Sequence, residues 1–163
     1  MTAAAIGLRG ASTHTLDDKA RLIVPKRILE RLPKIDSSFV LTASQDKCLL
    51  LLPRAAFDSK VSDLEVDPLG EDSHQRAKLR RFLGHAEDVN PDRSGRILIS
   101  EALRTYMGLR KNERDVVVVG MGGMVELWSA KHWARSVDTL SDDMASPRSL
   151  SDEASSVESD DTA

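Results

Sequence analysis

The chain has 163 residues, of which 40 % are hydrophobic and 30 % are charged, as is typical of one soluble globular domain or two very small ones. Its longest apolar run, VVVVGMGGMV at residues 116–125, is about half as long as the roughly 20 residues that a membrane-spanning helix needs, so no membrane association is expected. The formal net charge is −3, and a single cysteine, Cys48, excludes an internal disulfide and fits a reducing cytoplasm.

The charge is distributed unevenly along the chain. Residues 138–163 contain eight acids and one base, Arg148, for a net charge of −7, which leaves +4 on residues 1–137. The tail has few large apolar groups to offset the entropy of ordering, so residues 138–163 are predicted to be a disordered acidic tail. A mildly basic body favours a polyanionic partner.

The first group of predicted elements lies in residues 8–60. The stretch LDDKARLIV at residues 16–24 reads as a turn followed by a short apolar strand, with a short helix after it. Apolar residues at 40–42 and 49–52 flank the polar segment ASQDK, which is the pattern of a hairpin. Residues 61–88 follow as a helical connector, in which SHQRAKLRRFLGHAE at 73–87 is predicted to be an amphipathic helix.

Residues 89–137 repeat the first group. PDRSGRILI at 91–99 aligns with residues 16–24 at a shift of 75, and residues 116–133 align with 40–57 after one further residue of offset. One such unit of about 50 residues cannot bury much core. Its continuous apolar strands also require cover on both faces. The sequence therefore predicts an α+β, mainly β fold in which two tandem repeats interlock into one barrel.

The doubled Asp-x-x-x-Arg turn carries the clearest chemistry. A carboxylate at such a turn can accept backbone N–H hydrogen bonds, so Asp17 and Asp92 are predicted to be structural turn residues. Gly95 supplies a position where φ can be positive. Arg21 and Arg96 open the strands, and a guanidinium there can bind a phosphate or a guanine edge. The alternative is that both Asp–Arg pairs only hold their turns together.

Residues 8–34 carry a net charge of +4 and residues 89–110, which include Arg93, carry +2, so the first repeat is favoured as the nucleic-acid face. The four histidines match no metal-ligand spacing, and no nucleophile–base arrangement stands out. No enzyme activity, metal or cofactor is predicted.

Several ordered motifs together resemble the MraZ family over about residues 8–137: the doubled turn with RLIVP and RILIS, the central RRFLGHAE, and GGMVELWSAKHW. These are bacterial DNA-binding transcriptional regulators related to the AbrB and MazE swapped-hairpin proteins. The resemblance implies a pseudo-symmetric, AbrB-like swapped-hairpin barrel with flanking short helices. It also implies a homo-oligomeric ring of eight or more subunits and a nucleoid-associated location. The expected ligand is double-stranded DNA, bound at direct repeats in the promoter region of the division and cell-wall gene cluster.

The resemblance also implies site residues. Arg21 is carried over as DNA-contacting, Lys19 and Arg9 match neighbouring basic positions, and Arg96 and Arg93 are the candidates in the second repeat. The family usually has glycine where this chain has Ala20. An antitoxin of the MazE kind, or another swapped-hairpin interaction protein, stays open as the alternative because MazE relatives combine this fold with a disordered toxin-binding tail.

Overall fold

The structure is a computed structural model that describes residues 7–32, 38–64, 67 and 69–145, with side chains up to residue 139. The strands are β1 (Ala11–Thr15), β2 (Arg21–Ile23), β3 (Phe39–Ala43), β4 (Leu49–Pro53), β5 (Glu87–Val89), β6 (Arg96–Leu98), β7 (Asp115–Gly120) and β8 (Val125–Ser129). The helices are α1 (Lys26–Arg31), α2 (Arg54–Asp63), α3 (Ser73–Gly84), α4 (Glu101–Tyr106) and α5 (Ala130–Ala145). The chain is therefore α+β and mainly β in its described part.

The strands form two antiparallel sheets. Six of them make one sheet in the order β1-β7-β8-β4-β3-β5, and the remaining two, β2 and β6, pair with each other as a separate ribbon. Each strand has a counterpart in the other repeat: β1 corresponds to β5, β3 to β7 and β4 to β8. Exchanging the counterparts gives the same strand order, read from the opposite edge of the sheet. The two repeats are thus interlocked around a pseudo-twofold axis, and each repeat covers an edge of the other.

The predicted closed barrel is not found. Among the described strands, β1 and β5 each pair with only one neighbour, so the six-stranded sheet is open at both ends. The β2–β6 ribbon shares no ladder hydrogen bonds with that sheet and packs on it through side chains instead. In the described ladders each ribbon strand pairs only with the other, so the ribbon is joined to neither edge strand and the sheet stays open.

The core lies between the ribbon and one face of the six-stranded sheet. Leu22 and Ile97 point inward from the ribbon and are 0 % and 1 % exposed. They join one large cluster with residues of the sheet and of helices α1 and α4, among them Leu49, Leu103 and Leu127. The opposite face of the sheet carries a smaller cluster, built on Val117, Val119, Cys48 and Trp128 with Trp133 of α5 packed against it.

One expectation about the ribbon is wrong. The continuous apolar runs were expected to be covered on both faces, but Ile23 and Leu98 are each 58 % exposed. Only the inner face of the ribbon meets the core, and no described element covers the outer face. Period-two alternation within β2 and β6 therefore places two large aliphatic side chains in solvent.

The ends of the helices near the site follow from local chemistry. The Ser100 hydroxyl accepts a hydrogen bond from the Leu103 backbone N–H, as an N-cap of α4 does. After α4 the chain turns at Gly108, where φ is 82°. The last helix, α5, continues to Ala145, eight residues into the segment that the sequence assigns to the acidic tail, and residues 146–163 lie outside the described residues.

Candidate nucleic-acid interface

The turn between β1 and β2 is held by a single carboxylate. Asp17 Oδ1 accepts hydrogen bonds from the backbone N–H groups of Lys19 and Arg21, at 3.0 and 2.8 Å. Its other oxygen, Oδ2, accepts a hydrogen bond from Arg21 Nε at 2.8 Å. The Asp17 carboxylate therefore fixes both the backbone of the turn and the direction of the guanidinium.

The turn before β6 repeats this arrangement bond for bond. Asp92 Oδ1 accepts from the backbone N–H groups of Ser94 and Arg96, at 2.9 and 3.0 Å, and Oδ2 accepts from Arg96 Nε at 2.7 Å. The pKa values of both aspartates lie below their ordinary value. The backbone hydrogen bond from the arginine is the largest cause in each turn, and the side-chain hydrogen bond adds to it.

The two turns also share a left-handed residue. Ala20 has φ of 60° and Gly95 has φ of 77°. The Ala20 carbonyl accepts a hydrogen bond from the Ile99 N–H at 3.1 Å, and the Gly95 carbonyl accepts one from the Val24 N–H at 2.9 Å. Each turn is thus bonded to the strand end of the other repeat, which explains why the first turn keeps this conformation with alanine in place of glycine.

Exchanging the residue types at these two positions should shift stability in opposite directions. Ala20→Gly should raise the free energy of unfolding by about 0.5–1 kcal/mol, because relief of left-handed strain exceeds the added entropy of the unfolded chain. Gly95→Ala should lower it by about 1–2 kcal/mol. There an added Cβ would also lie 3.2 Å from Leu29 Cδ1 and 3.3 Å from the Val24 carbonyl oxygen. Urea denaturation measures the free energy of unfolding of both variants. Equal shifts in one direction would contradict left-handed strain as the cause.

The lowered aspartate pKa values predict how stability depends on pH. The folded chain binds these protons less tightly than the unfolded chain, whose aspartates titrate near 3.8. The stabilisation is therefore present above that pH and is lost as the pH falls through the lower folded values. A chain carrying both Asp17→Asn and Asp92→Asn should lose stability less steeply between about pH 4 and 2 than the wild type. Asp18→Asn is the neighbouring control, and unfolding midpoints across this range give the slopes.

The ribbon brings the two turns onto one surface. In its register Arg21 lies opposite Leu98, Leu22 opposite Ile97, and Ile23 opposite Arg96. Residues directly opposite in an antiparallel pair share a face. The ribbon outer face therefore consists of Arg21, Ile23, Arg96 and Leu98, with the arginines on one diagonal and the aliphatic residues on the other.

Both guanidinium groups reach the surface and are oriented by their aspartates. The side chains of Arg21 and Arg96 are 29 % and 35 % exposed, and Nε of each is held by its aspartate. No described residue accepts a hydrogen bond from the terminal nitrogens Nη1 and Nη2 of either arginine. A guanidinium held at Nε, whose two terminal nitrogens have no acceptor among the described residues, can form the paired hydrogen bonds that phosphate oxygens or guanine O6 and N7 accept.

The remaining predicted residues lie at different distances from this surface. Lys19 and Arg93 are exposed within the two turns, next to the ribbon outer face. Arg9 lies outside the ribbon, beside Gly120 of β7, and its carbonyl accepts a hydrogen bond from Arg27 Nη1 of α1 at 3.4 Å. The sequence interpretation overlooked Ile23 and Leu98, because the three-residue strands Arg-Leu-Ile and Arg-Ile-Leu are too short to reveal which side chains face outward.

Two other kinds of site are absent from the described residues. No group of three or more His, Cys, Asp or Glu side chains there is arranged to hold a metal ion. Within the same ranges, no helix combines the length and apolar character needed to cross a bilayer. Cys48 is fully buried, and burial raises the pKa of its thiol to about 12, so it is a packing residue rather than a nucleophile.

Comparison with known sequences matches this chain to one family. The model of that family, described as "MraZ protein, putative antitoxin-like", matches residues 8–81 and again residues 82–152. Each match contains one Asp–Arg turn, so the family's repeat coincides with the duplication in the fold.

Individual relatives agree over most of their length. A protein named transcriptional regulator MraZ in Kineococcus radiotolerans is 38 % identical over 80 % of this chain and 87 % of the relative. Proteins of the same name in Herminiimonas arsenicoxydans and Thermomicrobium roseum are 40 % and 39 % identical, over 78 % and 80 % of this chain and 86 % and 87 % of the relatives.

Proposed function

This chain belongs to the MraZ family of transcriptional regulators, which are not enzymes, and from that membership we propose that it regulates transcription by binding double-stranded promoter DNA through the ribbon outer face. The observation that carries the proposal is the duplicated turn, in which Asp17 and Asp92 fix Arg21 and Arg96 at Nε, while their terminal nitrogens have no acceptor among the described residues. Lys19 and Arg93 contact the phosphate backbone beside the ribbon, and Arg9 contributes charge from the sheet edge.

In this proposal the two kinds of contact have different roles. Phosphate contacts position the protein and make binding sensitive to salt, whereas guanidinium contacts to base edges in the major groove carry sequence preference. Since one three-residue ribbon covers few base pairs, one protomer binds weakly. Direct DNA repeats occupied by linked protomers multiply that weak contact through effective concentration.

The assembly that supplies the linkage is a homo-oligomeric ring of eight or more protomers. Its support is the family resemblance, together with exposed apolar side chains beside the Trp128–Trp133 pair, where Met121 is 47 % exposed. The DNA target is the promoter region of the division and cell-wall cluster, and the location is the cytoplasm, in association with the nucleoid. The interlocked strand order supports relating the fold to the swapped-hairpin, AbrB-like proteins.

The proposal is tested by measuring the affinity for DNA and the mass of the assembled protein. Fluorescence anisotropy with the upstream region of the chain's own gene should give tighter binding than a scrambled duplex of equal length. Both affinities should fall steeply between about 50 and 200 mM salt. Light scattering should give a mass at least eight times the 17.9 kDa protomer. Equal affinity for the two duplexes would overturn the proposal.

A second candidate is an antitoxin-like interaction protein. The description of the matching family model includes that term, and the acidic residues of the tail are suited to a basic partner. Such a protein needs only one repeat per chain, whereas this chain has two. A dimeric mass with tight binding of a basic protein partner, and no preference for the promoter, would favour it.

A further inference from the structure

We infer that Ile23 and Leu98 read thymine in the major groove, through apolar contact with its 5-methyl group, between the two arginines of the ribbon outer face. This inference rests on the proposed DNA binding and adds the base that the surface prefers. It begins from an observation that the Asp–Arg turns do not account for. Two large aliphatic side chains, each 58 % exposed, lie at equivalent positions of the two repeats.

Their exposure is a property of the ribbon and not of a disordered end. Leu22 and Ile97, their immediate neighbours in β2 and β6, are 0 % and 1 % exposed, so the ribbon is firmly attached to the core. Strand alternation then holds Ile23 and Leu98 outward in fixed directions. An isolated exposed aliphatic residue is ordinary. A symmetric pair on a rigid strand, placed between two oriented guanidinium groups, is a defined surface.

The neighbours of these side chains indicate the kind of partner. Ile23 lies directly opposite Arg96, and Leu98 lies directly opposite Arg21, at the short separation of cross-strand pairs. The acids nearest to the arginines, Asp17 and Asp92, are already engaged inside their turns. The ribbon outer face therefore combines apolar area with two cations whose terminal donors have no acceptor among the described residues, which favours a polyanion over the apolar face of another protein.

Double-stranded DNA offers both chemistries within one groove. The major groove is about 12 Å wide, and it admits a two-stranded β ribbon. Guanine presents O6 and N7 to an arginine there, and thymine presents a methyl group, the most apolar feature of any base edge. A checkerboard of arginine and aliphatic side chains thus complements guanine close to thymine. Adenine at the aliphatic positions would leave its N6 amino group without an acceptor.

Deoxyuridine isolates this contact because it differs from thymidine only by lacking the 5-methyl group. Two forms of the chain's own upstream duplex would be compared by anisotropy, one with thymidine and one with deoxyuridine throughout. The wild type should bind the deoxyuridine form about four- to fifteenfold more weakly, the loss expected for one or two buried methyl groups. Ile23→Ala and Leu98→Ala should bind the thymidine form more weakly, and should show a smaller difference between the two duplexes.

Leu69→Ala is the matched control, since Leu69 is a 93 % exposed leucine between α2 and α3, outside the ribbon, and this variant should keep the wild-type ratio. Urea midpoints and light scattering would show that the ribbon variants remain folded and assembled. A wild type that binds both duplexes equally would overturn the inference, as would ribbon variants that keep the wild-type ratio.

Two further outcomes are distinguishable. Ribbon variants that fall apart into smaller assemblies while keeping the wild-type thymidine–deoxyuridine ratio would identify the surface as a contact between copies of this chain, against the inference. A wild type that does not distinguish its upstream region from a scrambled duplex would overturn the proposed function itself, and the inference with it. Preference for the upstream region without methyl discrimination would overturn the inference alone.

Discussion

Arg21→Ala should weaken binding to the chain's own upstream DNA by about 10- to 100-fold, the effect of removing one bidentate contact to a guanine. The preference over a scrambled duplex should fall by nearly the same factor, because in the proposed complex the lost hydrogen bonds are to a base edge. Arg21→Lys should recover little of it, since an ammonium keeps the charge but has no planar pair of donors. Anisotropy at one fixed salt concentration measures all three affinities.

The control for charge is Lys111→Ala, because Lys111 is exposed in the loop before β7 and lies outside the ribbon. Its removal takes away the same unit of charge and should lower specific and non-specific binding by a similar small factor. Arg96→Ala tests whether the second turn also contacts bases, and a loss equal to that of Arg21→Ala would show that both do. If Arg21→Ala binds as tightly and as selectively as the wild type, the Asp17–Arg21 pair is only a structural part of the turn.

Leu22→Ala should lower the free energy of unfolding by about 2–5 kcal/mol, the range found when a fully buried leucine is truncated. Leu22 is 0 % exposed and faces Ile97 at the centre of the ribbon, so the change removes half of the pair through which the ribbon packs on the core. The cavity lies directly under the ribbon outer face. Specific DNA binding should therefore weaken as well, because Arg21 would no longer be held rigidly.

Ile23, the residue next to Leu22 in β2, provides the control for the expected loss of stability. Ile23→Ala removes a similar apolar side chain from the same strand, but Ile23 is 58 % exposed, so stability should change by less than about 1 kcal/mol. Urea denaturation would measure the free energy of unfolding of both variants, on condition that its slope against urea concentration is the same as in the wild type. A loss at Ile23 as large as that at Leu22 would mean that the outer face of the ribbon is buried in the assembled protein.

The elements with strong local signals could be predicted from the sequence. The hairpin predicted around the polar segment ASQDK appears as β3–β4, and the segment aligned with it in the second repeat appears as the hairpin β7–β8. The helix predicted at residues 73–87 appears as α3, Ser73–Gly84. In each case the residues that define the element are close together in the chain, so short-range periodicity contains the necessary information.

The elements that depend on partners far away in the chain could not be predicted from the sequence. Strands β1 and β5 have the sequences ASTHT and EDV, which lack the apolar run or apolar alternation that marks a strand, and they form because β7 and β3 offer free edges. The same cause explains the missed outer face of the ribbon. The triplets Arg21–Ile23 and Arg96–Leu98 are too short to distinguish a strand buried on both sides from one buried on a single side, and only the packing in the fold decides it.

The interlocking of the repeats has a consequence for how the chain is made. During synthesis the amino-terminal repeat emerges first, yet β1 finds its partner in β7, with Thr15 bonded to Asp115 one hundred residues later. Such non-local pairing gives slow folding, and the first half must wait with open strand edges that invite wrong associations. The duplication that gave the protein two Asp–Arg turns therefore also removed the independence of each half, and a gene cut between the repeats would encode two fragments that must find each other before either folds.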